Sequence, residues 1–168
     1  MCFRMTKPGF YRVENFYGPD CIGYLVSQAQ SAMRPQVESL FEREDVTFSQ
    51  WRVLMCLRDG LASTCADLSR ELSHDKGSMT RLIDQLESRN FVKRKRDARD
   101  RRIVFLELTA VGRAAAERMV VKVVDYFNCL LDGFSNGETA MLIELLQKLR
   151  LAVKSQDASA SPESVLAS

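Results

Sequence analysis

The run Lys93-Arg94-Lys95-Arg96-Asp97-Ala98-Arg99-Asp100-Arg101-Arg102 (KRKRDARDRR, residues 93–102) places seven basic residues and two aspartates in ten positions. Taken alone, it reads either as a solvated charged loop or as part of a folded device. Its flanks favour the device. Phe91-Val92 lead into the run, and on its far side Val104, Leu106 and Leu108 alternate with Ile103, Phe105 and Glu107. A period of two is the mark of a strand, so the stretch predicts a β-hairpin with a charged tip.

Upstream of the hairpin the period becomes helical. Met79, Leu82, Ile83 and Leu86 form one apolar stripe, predicting a helix from about Asp75 to Arg89, capped by Ser73 or Asp75. Lys76, Ser78, Thr80, Arg81, Asp84 and Gln85 lie off that stripe. Asn90 suits a left-handed residue at its end. A break at Leu72-Ser73-His74 separates it from a short helix over about Thr64 to Glu71. Before that, Thr47-Phe48-Ser49-Gln50 has the spacing of a capping box, with Val46 and Trp51 placed as a hydrophobic staple. It predicts a helix from Thr47 to about Arg58, with Trp51, Val53, Leu54 and Leu57 inward and Asp59-Gly60 as its stop.

Longer helices flank this centre. Asp20 to about Arg43 is helical in pattern, with a kink or short break expected at Pro35. Thr109 to about Phe134 is a second, and Ser135-Asn136-Gly137-Glu138 opens a last one carrying Met141, Leu142, Leu145, Leu146, Leu149 and Val153. Residues 1–19 hold several aromatics among Pro and Gly, an extension with neither a long helix nor pure disorder. Residues 154–168, poor in large apolar groups, are expected to be disordered.

The order is then helix, helix, short helix, turn, helix, hairpin, long helix, helix. Its centre is a helix-turn-helix followed by a wing, and the fold class is mainly α with a small β-hairpin. The second helix of such a unit can enter a major groove about 12 Å wide. Arginines on a narrow ribbon can reach a minor groove. Asp100, two residues before Arg102, can aim its guanidinium.

Composition agrees. The 168 residues are 46% hydrophobic and 27% charged, with a net charge of only +2. Lys76 to Arg102 holds ten Lys/Arg against four Asp/Glu, so the positive charge is concentrated where a polyanion would bind. The five cysteines (Cys2, Cys21, Cys56, Cys65, Cys129) have no metal-ligand spacing, and His74 is the only histidine. No metal site or cofactor is expected, and the thiols read as free. No membrane span or signal peptide is visible, so a cytoplasmic protein is expected.

The segment Asp75–Gly112 resembles the MarR (multiple antibiotic resistance regulator) family. The likeness rests on Thr80-Arg81-Leu82, Leu86-Glu87, Asp100-Arg101-Arg102 and Leu108-Thr109-Ala110-Val111-Gly112, with Val46 to Trp51 resembling the family's entry to the second helix. It covers roughly residues 20–153. Asn90 departs from the family's usual Gly. The resemblance implies a homodimeric repressor or activator, the repressor being the first expectation, on an inverted-repeat operator of double-stranded DNA. Residues 20–45 and 109–153 would form the dimerisation region and 46–108 the winged helix-turn-helix. By resemblance, Lys76, Ser78, Thr80 and Arg81 face the major groove, Arg102 enters the minor groove with Arg99 and Arg101 beside it, and Asp100 braces it.

Release by an oxidant or a small aromatic ligand is also implied. Cys21 lies near the position where some members carry a sensing thiol, with Tyr17 and Tyr24 nearby; the other reading is a partly buried thiol. Tyr24, Trp51 and Met55 are candidates to line a ligand cleft, or are simply core. His74 is a phosphate contact or a plain exposed residue. One other function class remains, a winged-helix protein-assembly module without a specific DNA target; an enzyme is not expected, since a thiol enzyme would need a general base near a cysteine and none is visible.

Overall fold

The computed structural model describes residues 9–159. Its elements are α1 (Ile22–Ser39), α2 (Phe48–Arg58), α3 (Cys65–Leu72), α4 (Lys76–Ser88), β1 (Val92–Arg96), β2 (Val104–Leu108), α5 (Ala110–Leu130) and α6 (Asn136–Ser159), preceded by single 3₁₀ turns at Val13–Asn15 and Gly18–Asp20. The fold class is as expected: mainly helical, with one two-stranded antiparallel hairpin. The chain divides into two compact units, one up to Val123 and one from Val124 onward.

The first unit is built around one apolar cluster. Val53 and Leu54 of α2, Leu68 of α3, and Met79, Ile83 and Leu86 of α4 are fully buried, joined by Val92, Leu106, Ala115 and Ala116. Each short helix is fixed at its start by a cap that satisfies its free amides. At α2 both halves of the capping box form: the Gln50 amide donates to Thr47 Oγ1, and the Thr47 amide donates to Gln50 Oε1. Asp67 plays the same part with Thr64 at α3, and the Ser78 amide donates to Asp75 at α4 (2.9 Å).

The end of α4 explains how Asn90 replaces a glycine. The Phe91 amide bonds to the Leu86 carbonyl (2.8 Å) and the Asn90 amide to Glu87 (2.9 Å), with Asn90 at φ 56°. This is a Schellman motif, with Leu86 and Phe91 as its apolar pair, and asparagine tolerates the left-handed position. It turns the chain directly into β1. Val92 pairs with Leu108, Arg94 with Leu106 and Arg96 with Val104. A third segment borders the hairpin: the Leu106 amide donates to the Ser63 carbonyl (2.8 Å), and Thr64 bridges Phe105.

Two expectations need correction. α1 runs through Pro35 without a break and ends at Ser39, four residues short of Arg43. There the bonds tighten, with the Leu40, Phe41 and Glu42 amides each reaching back three residues. At the other end, α6 continues to Ser159, six residues into the segment expected to be disordered. The remainder of that segment, 160–168, and residues 1–8 lie outside the described residues.

In the second unit, the last turns of α5 lead to α6, whose first turn is closed by a reciprocal box between Ser135 and Glu138. Its apolar side chains are largely exposed: Phe127, Phe134, Met141, Leu145 and Leu146 are each more than a third open to solvent. In the first unit, Ile22, Tyr24 and Leu25 at the start of α1 are similarly open.

Candidate nucleic-acid interface

Local chemistry sets which groups of α4 are available. Asp75 takes both the amide and the hydroxyl of Ser78, which hold its carboxyl below the usual carboxylate range. Ser78 is half-buried. Thr80 donates its hydroxyl to the Lys76 carbonyl (2.8 Å), with Cys65 Sγ 3.7 Å away. Lys76 and Arg81 are exposed. Asp84 and Gln85 are not free on the outer face. Gln85 accepts from the buried Gln50 of α2 (3.2 Å), and Asp84 is taken by the hairpin.

The basic run divides in two. Its first half is occupied by ion pairs. Lys93 and Lys95 both reach Glu107 on β2 (3.0 and 3.2 Å) and pull its carboxyl below its ordinary range. Arg94 binds Asp84 at 2.6 Å and also Glu87, two carboxylates of α4. The second half forms the tip. Asp97 accepts from the amides of Arg99 (2.6 Å) and Asp100 (2.8 Å), while the Asp97 amide donates to the Ile103 carbonyl. Asp97 therefore shapes the turn. Asp100 grips Arg102 through the Arg102 amide, Nε and Nη2 at 3.0–3.1 Å. The Arg102 side chain remains 92% exposed. Both aspartates are held below the usual carboxylate range, Asp100 first by the Arg102 guanidinium and Asp97 by backbone amides.

Arg96, Arg99 and Arg101 have no ion pair among the described residues. With Arg102, Lys76 and Arg81 they supply exposed cations on two neighbouring projections, a helix and a ribbon. Such an arrangement can neutralise phosphates while a helix face and a guanidinium approach base edges.

The candidate effector residues are split between two helices. Trp51 and Met55 of α2 are half-buried against the core. Trp51 stacks on Phe48, meets Phe41 at a tilt, and donates its indole N–H to the Ala116 carbonyl of α5 (3.2 Å), which gives it a structural task. Cys21 is half-buried at the N-cap of α1, without a side-chain capping bond, and Tyr24 is 47% exposed. The hydroxyl at the start of α1 comes from Tyr11, which accepts from the Ile22 amide (2.9 Å) and donates to the Asp20 carbonyl. Sequence reasoning singled out Tyr17 and Tyr24 instead. No local pattern links Tyr11 to a helix that starts eleven residues later. Among the described residues no cluster of three metal-ligating side chains forms, and no helix is long and apolar enough to cross a membrane.

Comparison with known proteins agrees with this geometry. A model of the MarR family matches residues 46–104. The multiple antibiotic resistance protein MarR of Escherichia coli K12 is 33% identical over 106 residues, covering 62% of this chain and 74% of that protein. A crystal structure of a mutant E. coli MarR complexed with operator DNA is similar at TM-score 0.65 and 29% identity, over 76% of this chain and 92% of that one. A structure of Bordetella bronchiseptica BpsR, whose DNA binding is regulated by 6-hydroxynicotinic acid, is similar at TM-score 0.69 and 25% identity, over 80% and 96% of the two chains. With its winged helix-turn-helix and this relationship to MarR itself, the chain belongs to the MarR family of transcriptional regulators.

Proposed function

We propose that this protein is a dimeric repressor that binds an inverted-repeat operator and leaves it when a small aromatic ligand or an oxidant acts on the dimer. The observation that carries the DNA-binding part is the wing tip. Arg102 is braced by Asp100 yet 92% exposed, the combination that presents a guanidinium with little freedom left to lose on binding. Lys76 and Arg81, with Ser78 and Thr80, are the residues of α4 proposed for the major groove. Arg99 and Arg101 flank Arg102 as phosphate contacts. That a relative was crystallised with operator DNA supports DNA as the partner.

Dimerisation is proposed from the apolar side chains left open on α1, α5 and α6. Two-fold symmetry then calls for half-sites about one DNA turn apart. For release, the ligand named for BpsR favours a small aromatic effector, with Tyr24, Trp51 and Met55 as candidate contacts and Cys21 as the candidate oxidant target. An effector that favours a different spacing of the two α4 helices must weaken DNA binding by its own coupling energy, typically about 1–3 kcal/mol.

Fluorescence anisotropy at near-physiological salt tests the central part. DNA from upstream of the protein's own gene is expected to bind at about 10⁻⁸ M or tighter, and scrambled DNA at least about 10³-fold more weakly. Equal weak binding to every duplex tried, lost steeply with salt, would favour the protein-assembly module instead.

A further inference from the structure

Strand β1 carries an anomaly. Val92, Arg94 and Arg96 share one face, and their partners across the ladder are Leu108, Leu106 and Val104. Val92 is 1% exposed and Leu106 6%, so this face points at the core, and alternation asks for an apolar residue at 94. An arginine there lays its stem along apolar surface and carries its charge outward. Here the guanidinium meets Asp84 and Glu87, three residues apart on one face of α4. A planar fork held by two carboxylates has less rotational freedom than one held by a single contact. The covalent link between α4 and β1 is short, and turns at the left-handed residue Asn90.

We infer that Arg94 is a positioning residue for DNA recognition: by bridging Asp84 and Glu87 it fixes the wing against α4, so that Arg102 and Arg81 meet their grooves together. This rests on the DNA-binding reading above. Arg94 itself touches no DNA. It also covers two negative charges on the helix that approaches the phosphates. That screening is a separate effect, and the test must set it apart.

The test is a double-mutant cycle, measured by anisotropy on the duplex that the wild-type protein selects from a random pool. Arg94→Ala is expected to weaken binding about tenfold in the wild-type background, but about twofold or less in an Arg102→Ala background, because a wing without its probe has little to position. Arg94→Lys, which keeps the charge but cannot fork, is expected to fall between and to show the same dependence on background. The variant Arg94→Ala/Asp84→Asn/Glu87→Gln removes the uncovered carboxylates and is expected to remain weak. An equal loss in both backgrounds overturns the inference, as does recovery of wild-type affinity in the triple variant. Failure of the wild type to select any consensus would refute the DNA-binding reading instead. In that event residual dipolar couplings decide the positioning claim without DNA. One alignment tensor is expected to fit the wing and α4 in wild type, and two in Arg94→Ala; a single tensor in both overturns it.

Discussion

Gly112, in the first turn of α5, lies directly against the carbonyl of Phe91: a Cβ placed on it would stand 1.9 Å from that oxygen. The same carbonyl accepts from the Thr109 amide (3.1 Å), and Thr109 Oγ1 accepts from the Gly112 amide (3.0 Å) and donates to the Asn90 carbonyl (2.6 Å). The Thr-x-x-Gly spacing thus pins the start of α5 to the point where α4 becomes the wing.

Gly112→Ala must push α5 off that carbonyl, since backbone cannot yield as a flexible side chain can. The expected destabilisation is about 1–3 kcal/mol, the range for overpacking a tight site. Urea unfolding followed by circular dichroism checks it; a midpoint equal to wild type contradicts the packing described.

Thr47→Ala removes one half of the α2 capping box, where Thr47 Oγ1 accepts from the Gln50 amide. A loss of about 1 kcal/mol is expected, with little effect on the wing. Gln50→Ala is expected to cost more, because Gln50 is 6% exposed and serves both Thr47 and Gln85. Equal melting temperatures for the two variants would contradict this ordering.

Much of this can be read from the sequence alone. Capping boxes, the Met79-to-Leu86 stripe and the alternation after Arg102 are local patterns, and local patterns set local structure. What escaped were relations between distant elements. The strip Ser63-Thr64 carries no strand pattern, and borders β2 because that edge needs a partner for the Leu106 amide. Asp84 and Gln85 look like outward polar residues in a helical projection, and only the folded hairpin and α2 reveal that both are engaged. α6 outruns the apolar pattern because residues 154–159 contain no Pro or Gly to stop an established helix.

The wing tip gives a pH prediction. Asp97 and Asp100 titrate lower in the folded protein than in the unfolded chain. A depressed carboxylate contributes stability that is present above its unfolded value, about 3.9, and is lost as pH falls through the lower folded value. The tip is therefore expected to stay ordered through pH 5 and to loosen only below the ordinary carboxylate range. Carboxyl carbon shifts followed by NMR check this. In Arg102→Ala the Asp100 midpoint is expected to move up toward its ordinary value; an unmoved midpoint would show that the guanidinium does not hold it.

The division of the basic run has a consequence in salt. Arg99 has no ion pair among the described residues, whereas Lys93 is paired with Glu107. Arg99→Ala is expected to reduce the slope of log affinity against log salt by about 1, the mark of one lost phosphate contact, whereas Lys93→Ala leaves the slope nearly unchanged. Equal changes for both would mean the run acts as an undivided charge.

Cys56 is 5% exposed, and burial raises its thiol pKa, so little thiolate forms at neutral pH. It is expected to resist a maleimide in the native protein and to react on unfolding. Mass spectrometry after timed labelling checks this; rapid native labelling at Cys56 would contradict the core described.

DNA recognition by the wing is measured most directly as the operator affinity of Arg102→Ala beside wild type, by anisotropy, with circular dichroism and sedimentation confirming an unchanged folded species. Binding is expected to weaken by about 10- to 100-fold, with the preference over scrambled DNA reduced. Wild-type affinity and preference in a folded Arg102→Ala protein would contradict it.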